Sequence, residues 1–454
     1  MKDKLKYLWG YFFAFIYGFP YRKLKMIGIT GTDGKTTTST ILYSLLKAQK
    51  KKVAIMSTIS CLYFNGETES EVSSYWNRFD MPIAEIMRLP FTHRYNEGQH
   101  VTTAWAPTIQ HLLAILVKRG CETVVLESTS HALSQQRLAG LQFDLVGITN
   151  ISHEHLDYHK TMENYLNAKA MIFKTEKWLP QKQYIQKRYG YVNADDQNSE
   201  GFYDKVGEFE LRTYSLLGRG DLNAKIKELN LNGSKFEYDG KLFSQSLVGE
   251  YNVCNCFLAL LLYEALGFEL ESASSAVQKL RSPRGRFEIF NTKGHGCVVV
   301  DFAHTPQSYE RLLQFARKSV YGRIIVVFGS AGLRDKTKRP LMGETAARYA
   351  DVLIITSEDP RTENAADIGR AIIEGAQSAG FSAVTGNGRT DKVYYEEYDR
   401  RKAIRLAVEM SQKDDYVFVL GKGHEESMCF GTVEHPWSDQ HVVEEVIASV
   451  ESVV

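Results

Sequence analysis

Residues 28–38 read GITGTDGKTTT, and this stretch decides the fold. A glycine-rich turn runs directly into a lysine and three threonines, which predicts a phosphate-binding loop that opens a helix. The usual phosphate loop, G-x-x-x-x-G-K-[ST], would require a glycine at position 29, where Ile29 stands. The chain has the shorter pattern G-x-x-G-K-T over residues 31–36 instead.

The residue types of this loop indicate nucleotide chemistry. Glycines allow backbone N–H groups to approach a phosphate, and the N-terminus of the following helix adds its positive end. Lys35 would neutralise the β- and γ-phosphates, and Thr36 or Thr37 would offer a hydroxyl to Mg²⁺. An ordinary strand–turn–helix is the plainer alternative, but a lysine and three threonines at this spacing favour a phosphate site.

The composition is that of an ordinary globular protein. The chain has 454 residues, of which 44% are hydrophobic and 24% charged, and this length predicts two or three domains. A formal net charge of +1 gives no electrostatic reason to expect a nucleic-acid partner. The six cysteines form no C-x-x-C pair, which is typical of reduced thiols in a cytosolic protein.

The N-terminal segment is unusual. Residues 7–20, YLWGYFFAFIYGFP, carry no charge and are mostly aromatic, with basic residues on both sides. The segment is shorter than the roughly 20 residues that a membrane-spanning helix needs. Tyr, Trp and basic flanks favour the interface of an anionic membrane. A helix that packs on the protein's own surface is the equal alternative.

Apolar runs typical of strands alternate with helical segments after this point, which is the pattern of α/β proteins. Because open α/β sheets bind ligands at the carboxyl ends of their strands, the polar residues that follow these runs are expected to form the site. A domain boundary is expected near residues 281–285. We expect strands at residues 25–30, 52–57, 123–127, 145–150, 297–301, 323–328, 352–356 and 416–420.

Acidic and histidine side chains supply possible metal ligands. Glu127 ends an apolar strand, where a carboxylate must be paired or bind a metal, and from this residue alone a buried ion pair is the simpler interpretation. His153, His155 and His159 crowd into ISHEHLDYH. They are a candidate zinc site, although no cysteine lies near and no HExxH pattern occurs.

Lys169 falls on the apolar face of a helix predicted over residues 162–173, which Thr161 can cap. A lysine that points inward is costly unless it has a partner or a modified charge. The alternative is a side chain that extends its ammonium group to the surface.

Nine stretches, in order between residues 26 and 425, resemble the Mur ligase family of ATP-dependent acid–amino acid ligases in peptidoglycan synthesis. Within the family they most resemble the ligases that attach a diamino acid, typically meso-diaminopimelate, to a UDP-N-acetylmuramoyl dipeptide. The short phosphate loop is the form that this family uses. The stretches are GITGTDGKTTT, LESTSHALSQQRLAGLQFD, TNISHEHLDYHKTMENYLNAKAMIF, YNVCNCFLAL, SPRGRFEIF, VVVDFAHTPQS, RDKTKRPLMGE, SEDPRTEN and GKGHEE.

The resemblance implies an α/β fold with a central P-loop-type ATPase domain, whose sheet is mostly parallel, and a C-terminal Rossmann-like domain. We expect a short aromatic segment over residues 1–24, the ATP-binding domain over 25–282, and a domain for the incoming amino acid over 283–454. Family members typically carry an N-terminal domain that binds the uridine nucleotide. Residues 1–24 are too few for it, so we expect this chain to lack that domain.

The resemblance also assigns roles to single residues. It implies catalytic roles for Lys35, Glu127, His155 and Lys169. It implies Mg²⁺ ligation by Thr36, Glu127, His155 and Lys169, the last as a carbamate. It implies ATP binding by Gly31, Thr32, Asp33, Gly34, Lys35, Thr36, Thr37, Asn252, Asn255, Arg286 and Asp301. It implies acceptor binding by Thr102, Thr103, Ser130 and Arg137, and amino-acid binding by Arg334, Asp359, Arg361, Gly421 and Glu425.

The implied reaction uses ATP and Mg²⁺. ATP phosphorylates the acceptor carboxylate, and the amine of the incoming amino acid then displaces phosphate from the acyl phosphate. The expected partners are small molecules, a UDP-sugar peptide and a diamino acid. We expect a cytoplasmic monomer that closes before reaction, with possible peripheral contact to the inner membrane face through residues 7–20.

Two departures from the family pattern concern the substrates. The acceptor motif T-T-P is interrupted over residues 102–107, and D-N-P-R reads Glu358-Asp359-Pro360-Arg361. Arg361 favours an amino acid with a distal carboxylate, whereas Asp359 would repel that carboxylate unless a cation offsets it. The alternatives are an L-lysine-adding ligase, a pseudomurein-type peptide ligase, a folylpolyglutamate synthase-like ligase, a phosphate-loop kinase, or an inactive nucleotide-binding module.

Overall fold

The structure is a computed structural model in which the chain forms two compact units, unit 1 (Met1–Arg281) and unit 2 (Ser282–Val454). The residues that it describes are 2–72, 103–152, 154–182, 187–384 and 392–452.

Unit 1 combines a large sheet, a small sheet and surrounding helices. Its described strands are β1 (Lys25–Thr30), β2 (Val53–Met56), β3 (Cys61–Phe64), β4 (Glu69–Glu71), β5 (Thr123–Glu127), β6 (Leu145–Ile148), β7 (Tyr189–Asn193), β8 (Glu210–Ser215), β9 (Leu222–Asn223), β10 (Lys225–Asn230), β11 (Gly233–Tyr238) and β12 (Lys241–Gln245). Its described helices are α1 (Lys2–Ile16), α2 (Lys35–Ala48), α3 (Ala106–Lys118), α4 (Ser130–Ser134), α5 (Leu156–His159), α6 (Met162–Ala170), α7 (Glu250–Ala265) and α8 (Glu271–Gln278).

The large sheet of unit 1 has, within the described ranges, the strand order β4-β3-β2-β5-β1-β6-β7-β8-β9. It is parallel except where β3 pairs with β2 and β4. Both faces are buried, because Met26 joins one hydrophobic cluster and its neighbour Ile27 joins another. This is the burial expected of a parallel sheet covered by helices on both sides. Strands β10, β11 and β12 form a separate antiparallel sheet.

The central strand β1 leads into the loop before α2, so the phosphate-loop sequence lies at a carboxyl edge of the large sheet. Helix α6 begins as expected, since the Thr161 side chain accepts a hydrogen bond from the backbone N–H of Asn164 at 3.1 Å. The α-helix ends at Ala170, earlier than the sequence pattern predicts, and continues as a 3₁₀ turn over Met171–Phe173.

The aromatic N-terminal segment forms α1, which packs on unit 1 against α3. Its Gly10 lies so close to Ala139 that an added Cβ would stand 2.6 Å from the Ala139 Cβ. Within the described part of the chain, no helix combines the length and the apolar character needed to cross a membrane.

Unit 2 is a second α/β layer structure. Its described strands are β13 (Glu288–Phe290), β14 (Cys297–Asp301), β15 (Ile324–Phe328), β16 (Val352–Ile355), β17 (Ser382–Ala383), β18 (Val393–Glu396), β19 (Tyr416–Leu420), β20 (Ser427–Phe430) and β21 (Val433–Pro436). Its described helices are α9 (Pro306–Ser319), α10 (Lys338–Tyr349), α11 (Ala365–Ser378), α12 (Arg400–Met410) and α13 (Asp439–Glu451).

The main sheet of unit 2 has, among its described strands, the order β13-β14-β19-β15-β16-β18-β17. Only the β13–β14 pairing is antiparallel there. Because β14, β16 and β19 run parallel, their carboxyl ends lie at the same edge of this sheet. Asp301, Glu358 and Gly421, at or just after those ends, therefore lie at that edge.

Candidate active site

The phosphate loop depends on two glycines. Gly34 has φ +81° at the N-cap of α2, and an added Cβ would lie 2.2 Å from Asn255 Oδ1. Gly31 has φ +151°, and its Cβ would lie 1.9 Å from Thr149 Oγ1. Both the backbone conformation and the close neighbours therefore exclude a side chain at these positions, and the loop leads directly into the N-terminus of α2, where backbone N–H groups can bind an anion.

Lys35 folds over this loop. Its ammonium group donates hydrogen bonds to the carbonyl oxygens of Gly31, at 3.1 Å, and Thr32, at 2.7 Å. The positive charge is thus held at the loop, where it can bind an anion together with the backbone N–H groups.

Glu127 lies at the end of β5 and is only 1% exposed. Its carboxylate accepts hydrogen bonds from the Thr36 hydroxyl at 3.0 and 3.1 Å, and from the Thr58 hydroxyl and N–H, both at 3.0 Å. Among the described residues it forms no ion pair, so the simpler sequence interpretation is not what the structure shows. A carboxylate beside a threonine hydroxyl is a hard oxygen donor set that fits Mg²⁺.

Lys169 is buried, with 1% of its surface exposed, and does not extend to solvent. Its amine donates to the Gly31 carbonyl at 2.6 Å and lies 4.6 Å from the centre of the Tyr165 ring. Burial, followed by repulsion from Lys35, lowers the pKa of the Lys169 amine well below its ordinary value.

Three histidine rings cluster beside the loop after β5. The His131 ring centre lies 4.6 Å from that of His155 and 5.5 Å from that of His159, and His159 Nε2 lies 3.0 Å from Ser130 Oγ. His153 lies outside the described residues. Within the described ranges, no group of three or more His, Cys, Asp or Glu side chains is arranged to hold a metal, so the zinc hypothesis gains no support there.

The predicted acceptor residues Thr103 and Arg137 are joined to the Glu127 backbone. The Thr103 hydroxyl donates to the Glu127 carbonyl at 3.0 Å, and Arg137 donates to the Thr103 carbonyl at 2.8 Å. The Arg137 guanidinium also lies 4.9 Å from the Trp105 ring centre. Thr102 lies outside the described residues.

Asn252 and Asn255 are buried on α7 and face the start of α2. The Asn255 amide donates to Asn252 Oδ1 at 3.2 Å, and its own Oδ1 accepts from the Thr38 hydroxyl at 3.3 Å. The pair therefore ties α7 to the helix that the phosphate loop opens.

In unit 2, Asp301 and Arg286 lie together at the end of β14. The Asp301 carboxylate accepts hydrogen bonds from the N–H groups of Phe287, at 2.7 Å, and Ala303, at 2.6 Å. The Arg286 guanidinium lies 4.4 Å from the Phe302 ring centre.

A charge network follows β16 and β19. Asp359 Oδ1 accepts from the Lys422 ammonium at 2.8 Å and from the Cys429 N–H at 2.9 Å. The same ammonium lies 2.5 Å from Glu425 Oε2. Lys422 thus bridges two carboxylates, and they raise its pKa although burial, the largest influence, acts to lower it.

Arg361 has no carboxylate partner among the described residues of unit 2, where its guanidinium donates to the Gly332 carbonyl at 2.7 Å. Arg334 is exposed. Gly421 has φ +108°, and a Cβ there would lie 2.2 Å from Glu358 Oε2, a buried oxygen with no hydrogen-bond partner in the described structure. Because no carboxylate in the described part of unit 2 neutralises Arg361, its guanidinium can bind an anionic ligand group.

Residues 29–263 match the family model of the Mur ligase middle domain, and residues 285–423 match that of the Mur ligase, glutamate ligase domain. The chain belongs to the Mur ligase family. It is therefore an ATP-dependent enzyme that forms amide bonds, and the α/β fold expected from its sequence is confirmed.

Named relatives and solved structures are similar to this Mur ligase over most of its length. A UDP-N-acetylmuramyl-tripeptide synthetase of Roseiflexus sp. (strain RS-1) is 35% identical, over 94% of this chain and 79% of its own. A UDP-N-acetylmuramoyl-L-alanyl-D-glutamate--2,6-diaminopimelate ligase of Synechococcus elongatus is 34% identical, over 100% and 82%. A solved structure with the same ligase name has a TM-score of 0.58 at 28% identity, covering 94% of this chain and 79% of that one.

A solved Mycobacterium tuberculosis folylpolyglutamate synthase, complexed with ADP and AMPPCP, has a TM-score of 0.67 at 16% identity. It covers 90% of this chain and 91% of its own. This likeness shows a shared fold alone.

Some contacts of this Mur ligase were not expected from its sequence. Thr58 and Trp105 were not singled out as site residues, yet Thr58 holds Glu127 and Trp105 lies on Arg137. Lys422 lies in the polar stretch after a predicted strand and within GKGHEE, but the sequence assigns it no role, although its ammonium neutralises Asp359. Thr58 stands two residues after β2, and a polar residue just past the carboxyl end of a strand is a signal that could have indicated it.

Proposed function

We propose that this Mur ligase adds a diamino acid, meso-diaminopimelate, to the D-glutamate carboxylate of a UDP-N-acetylmuramoyl dipeptide. Relatives that are 31–34% identical over at least 95% of this chain carry names for this activity. The observation that carries the proposal is the meeting of two lysines at one loop carbonyl, since Lys35 and Lys169 both donate to Gly31. A simple phosphate-loop kinase has no use for the second, buried amine.

The proposed reaction has two steps. The acceptor carboxylate oxygen attacks the γ-phosphorus of ATP, and ADP leaves with the bridging oxygen, which gives an acyl phosphate. The diamino-acid nitrogen then attacks the acyl carbon, loses its proton, and phosphate leaves. Lys35 would stabilise the charge on the transferring phosphoryl group.

We propose that Thr36, Glu127, His155 and carbamylated Lys169 hold Mg²⁺, which when bound would neutralise phosphate charge. Carbamylation joins the amine nitrogen to the carbon of CO₂ with loss of a proton, so it needs a neutral amine. The buried Lys169, with its lowered pKa, provides one. The modification converts a buried cation into an anion that can bind a metal.

The remaining assignments complete the proposal. Gly31, Thr32, Asp33, Gly34 and Thr37 would complete the phosphate loop, and Asn252, Asn255, Arg286 and Asp301 would bind ATP. Thr102, Thr103, Ser130 and Arg137 would bind the acceptor, and Arg334, Asp359, Arg361, Gly421 and Glu425 the diamino acid. The enzyme would act as a monomer in the cytoplasm, on small-molecule substrates.

The residues proposed to bind the incoming amino acid favour diaminopimelate over lysine. Arg361 can pair with the distal carboxylate, which lysine lacks. The repulsion expected from Asp359 is offset by Lys422, whose ammonium lies 2.8 Å from the Asp359 carboxylate.

The deciding experiment measures phosphate release from ATP with Mg²⁺ and UDP-N-acetylmuramoyl-L-alanyl-D-glutamate, adding meso-diaminopimelate or L-lysine in parallel, with product masses. We expect release that depends on both the acceptor and diaminopimelate, with a tripeptide product. Phosphate release that depends on L-lysine would show that lysine, and not diaminopimelate, is the amino acid that the enzyme adds. Protein that binds ATP but is silent with both amino acids would contradict the proposed acceptor.

A further inference from the structure

Helix α1 is held on unit 1 in one orientation. Phe13 and Ala14 are buried, and the Tyr7 hydroxyl donates to Glu176 Oε1 at 2.8 Å. Packing and this hydrogen bond fix which face of α1 contacts the protein. They therefore also determine which residues lie on the opposite face.

The opposite face of α1 is an apolar stripe open to solvent. Leu8, Phe12, Phe15 and Ile16 are 61%, 48%, 70% and 51% exposed. Their spacing of four, three and one residues places them on one side of a helix. A contiguous exposed stripe of this kind is typical of an interaction site and not of a free surface.

Positive charge surrounds this stripe in the sequence. Residues 2–25 include six lysines and arginines and one aspartate, although the whole chain has a formal net charge of only +1. Lys23 and Lys25, just after the helix, are exposed. Aromatic and aliphatic side chains with basic flanks match the headgroup region of an anionic bilayer.

A second aromatic group adjoins the helix from the rest of unit 1. The Trp178 ring centre lies 4.4 Å from that of Tyr11 on α1, and Trp178 is 59% exposed. Its sequence neighbour Lys177 is also exposed. An exposed tryptophan beside a lysine is the pairing that membrane interfaces favour.

We propose that the exposed stripe of α1, together with Trp178 and the flanking lysines, binds the surface of an anionic membrane. The helix lies on the protein with its buried face and inserts the stripe among the headgroups, while the lysines meet anionic lipid. This proposal goes beyond the ligase reaction and does not depend on it.

The test is sedimentation of the full chain with vesicles of phosphatidylglycerol and phosphatidylcholine, and with vesicles of phosphatidylcholine alone. Phe12→Ser with Phe15→Ser removes the two aromatic rings of the stripe. Leu217→Ser with Leu242→Ser is the matched control, because these side chains are 59% and 56% exposed but lie elsewhere on unit 1. Thermal unfolding and ADP binding verify that each variant is folded.

The charge component has its own pair of variants. Lys23→Glu with Lys25→Glu reverses the flanking charge, and Lys225→Glu with Lys279→Glu changes the same number of exposed lysines elsewhere on unit 1. We expect the wild type and both controls to bind anionic vesicles. The stripe and flank variants should bind about tenfold more weakly, and added salt should weaken the wild type.

Several outcomes would overturn the proposal. The proposal is wrong if the wild type does not sediment with anionic vesicles, or if the stripe variant binds them as tightly as its control. If the wild type bound no vesicles but sedimented as a dimer that Phe12→Ser with Phe15→Ser dissociates, the stripe would contact a second copy of the chain instead.

Discussion

At the residue scale, the amines of Lys35 and Lys169 differ in exposure although both donate to one carbonyl. We expect Lys169→Ala to lower the ligase rate about 100-fold or more, because it removes the group proposed to carry the carbamate. ADP binding should change far less, since Lys35 and the loop glycines remain. Steady-state rates and calorimetric ADP binding provide the comparison.

The rescue of this variant distinguishes a catalytic role from a structural one. A small carboxylate such as acetate can enter the space left by the lysine side chain and restore anionic oxygens. We expect partial recovery of the Lys169→Ala rate with acetate and none with chloride at equal ionic strength. Equal recovery with both salts would exclude the carbamate role.

Gly34 provides a prediction with a matched control. Gly34→Ala puts a Cβ 2.2 Å from Asn255 Oδ1, whereas Gly240→Ala, at a similar φ of +71°, meets nothing within 4 Å. Both should lose about 1–2 kcal/mol of stability from the left-handed conformation. Only Gly34→Ala should also lose nucleotide binding, measured by calorimetry, because the loop must move. Normal ADP affinity in Gly34→Ala would contradict this account of the loop.

Arg361 tests the identity of the amino acid. Arg361→Ala should lower kcat/KM for diaminopimelate about 100-fold, because the ligand carboxylate loses its partner, and should leave any activity with lysine nearly unchanged. Arg348→Ala, an exposed change on α10 that affects only the surface pairs of Arg348 with Glu310 and Glu344, is the control. Equal losses of kcat/KM with both amino acids would mean that Arg361 has a structural role and does not select the substrate.

At the element scale, local patterns made much of the fold predictable. Each expected strand overlaps an observed one, because neighbouring residues such as Met26 and Ile27 are buried on opposite faces of the sheet, and burial on both faces requires a continuous apolar run in the sequence. Contacts between distant segments were not predictable. Thr58 reaches Glu127 across 69 positions, and Lys422 reaches Asp359 across 63.

The buried ion pair between α12 and α13 is another such contact. Arg400 donates to both Asp439 oxygens, at 2.8 and 2.7 Å, and to the Leu420 carbonyl at the end of β19. Arg400→Met should cost about 3–5 kcal/mol, since it leaves Asp439 buried and uncompensated. Arg400→Met with Asp439→Leu should recover much of this loss in urea unfolding. No recovery would mean that the carbonyl contact carries the stability.

At the scale of the whole molecule, the sequence resemblance alone indicates the family, because its nine motifs follow one another along the chain in the order that the family uses. The sequence does not reveal that α1 packs on the rest of unit 1. A helix that lies at a membrane interface and a helix that is docked on the protein have the same apolar composition. The close approach of Gly10 to Ala139 shows that one face of α1 is docked on the protein, and this contact joins two segments that no single stretch of sequence contains.

The two units also predict how the molecule unfolds. In the part of the chain that the structure describes, two hydrophobic clusters are built from residues of unit 1, and the cluster beneath the main sheet of unit 2 is built from residues of unit 2. We therefore expect two calorimetric transitions, with the unit 1 transition raised by Mg²⁺ and ADP because the phosphate loop belongs to that unit. Ligand at about 100 times its Kd should add about 2.7 kcal/mol to that unit. Gly34→Ala should abolish the shift, and a single transition that moves as a whole would show that the units do not unfold independently.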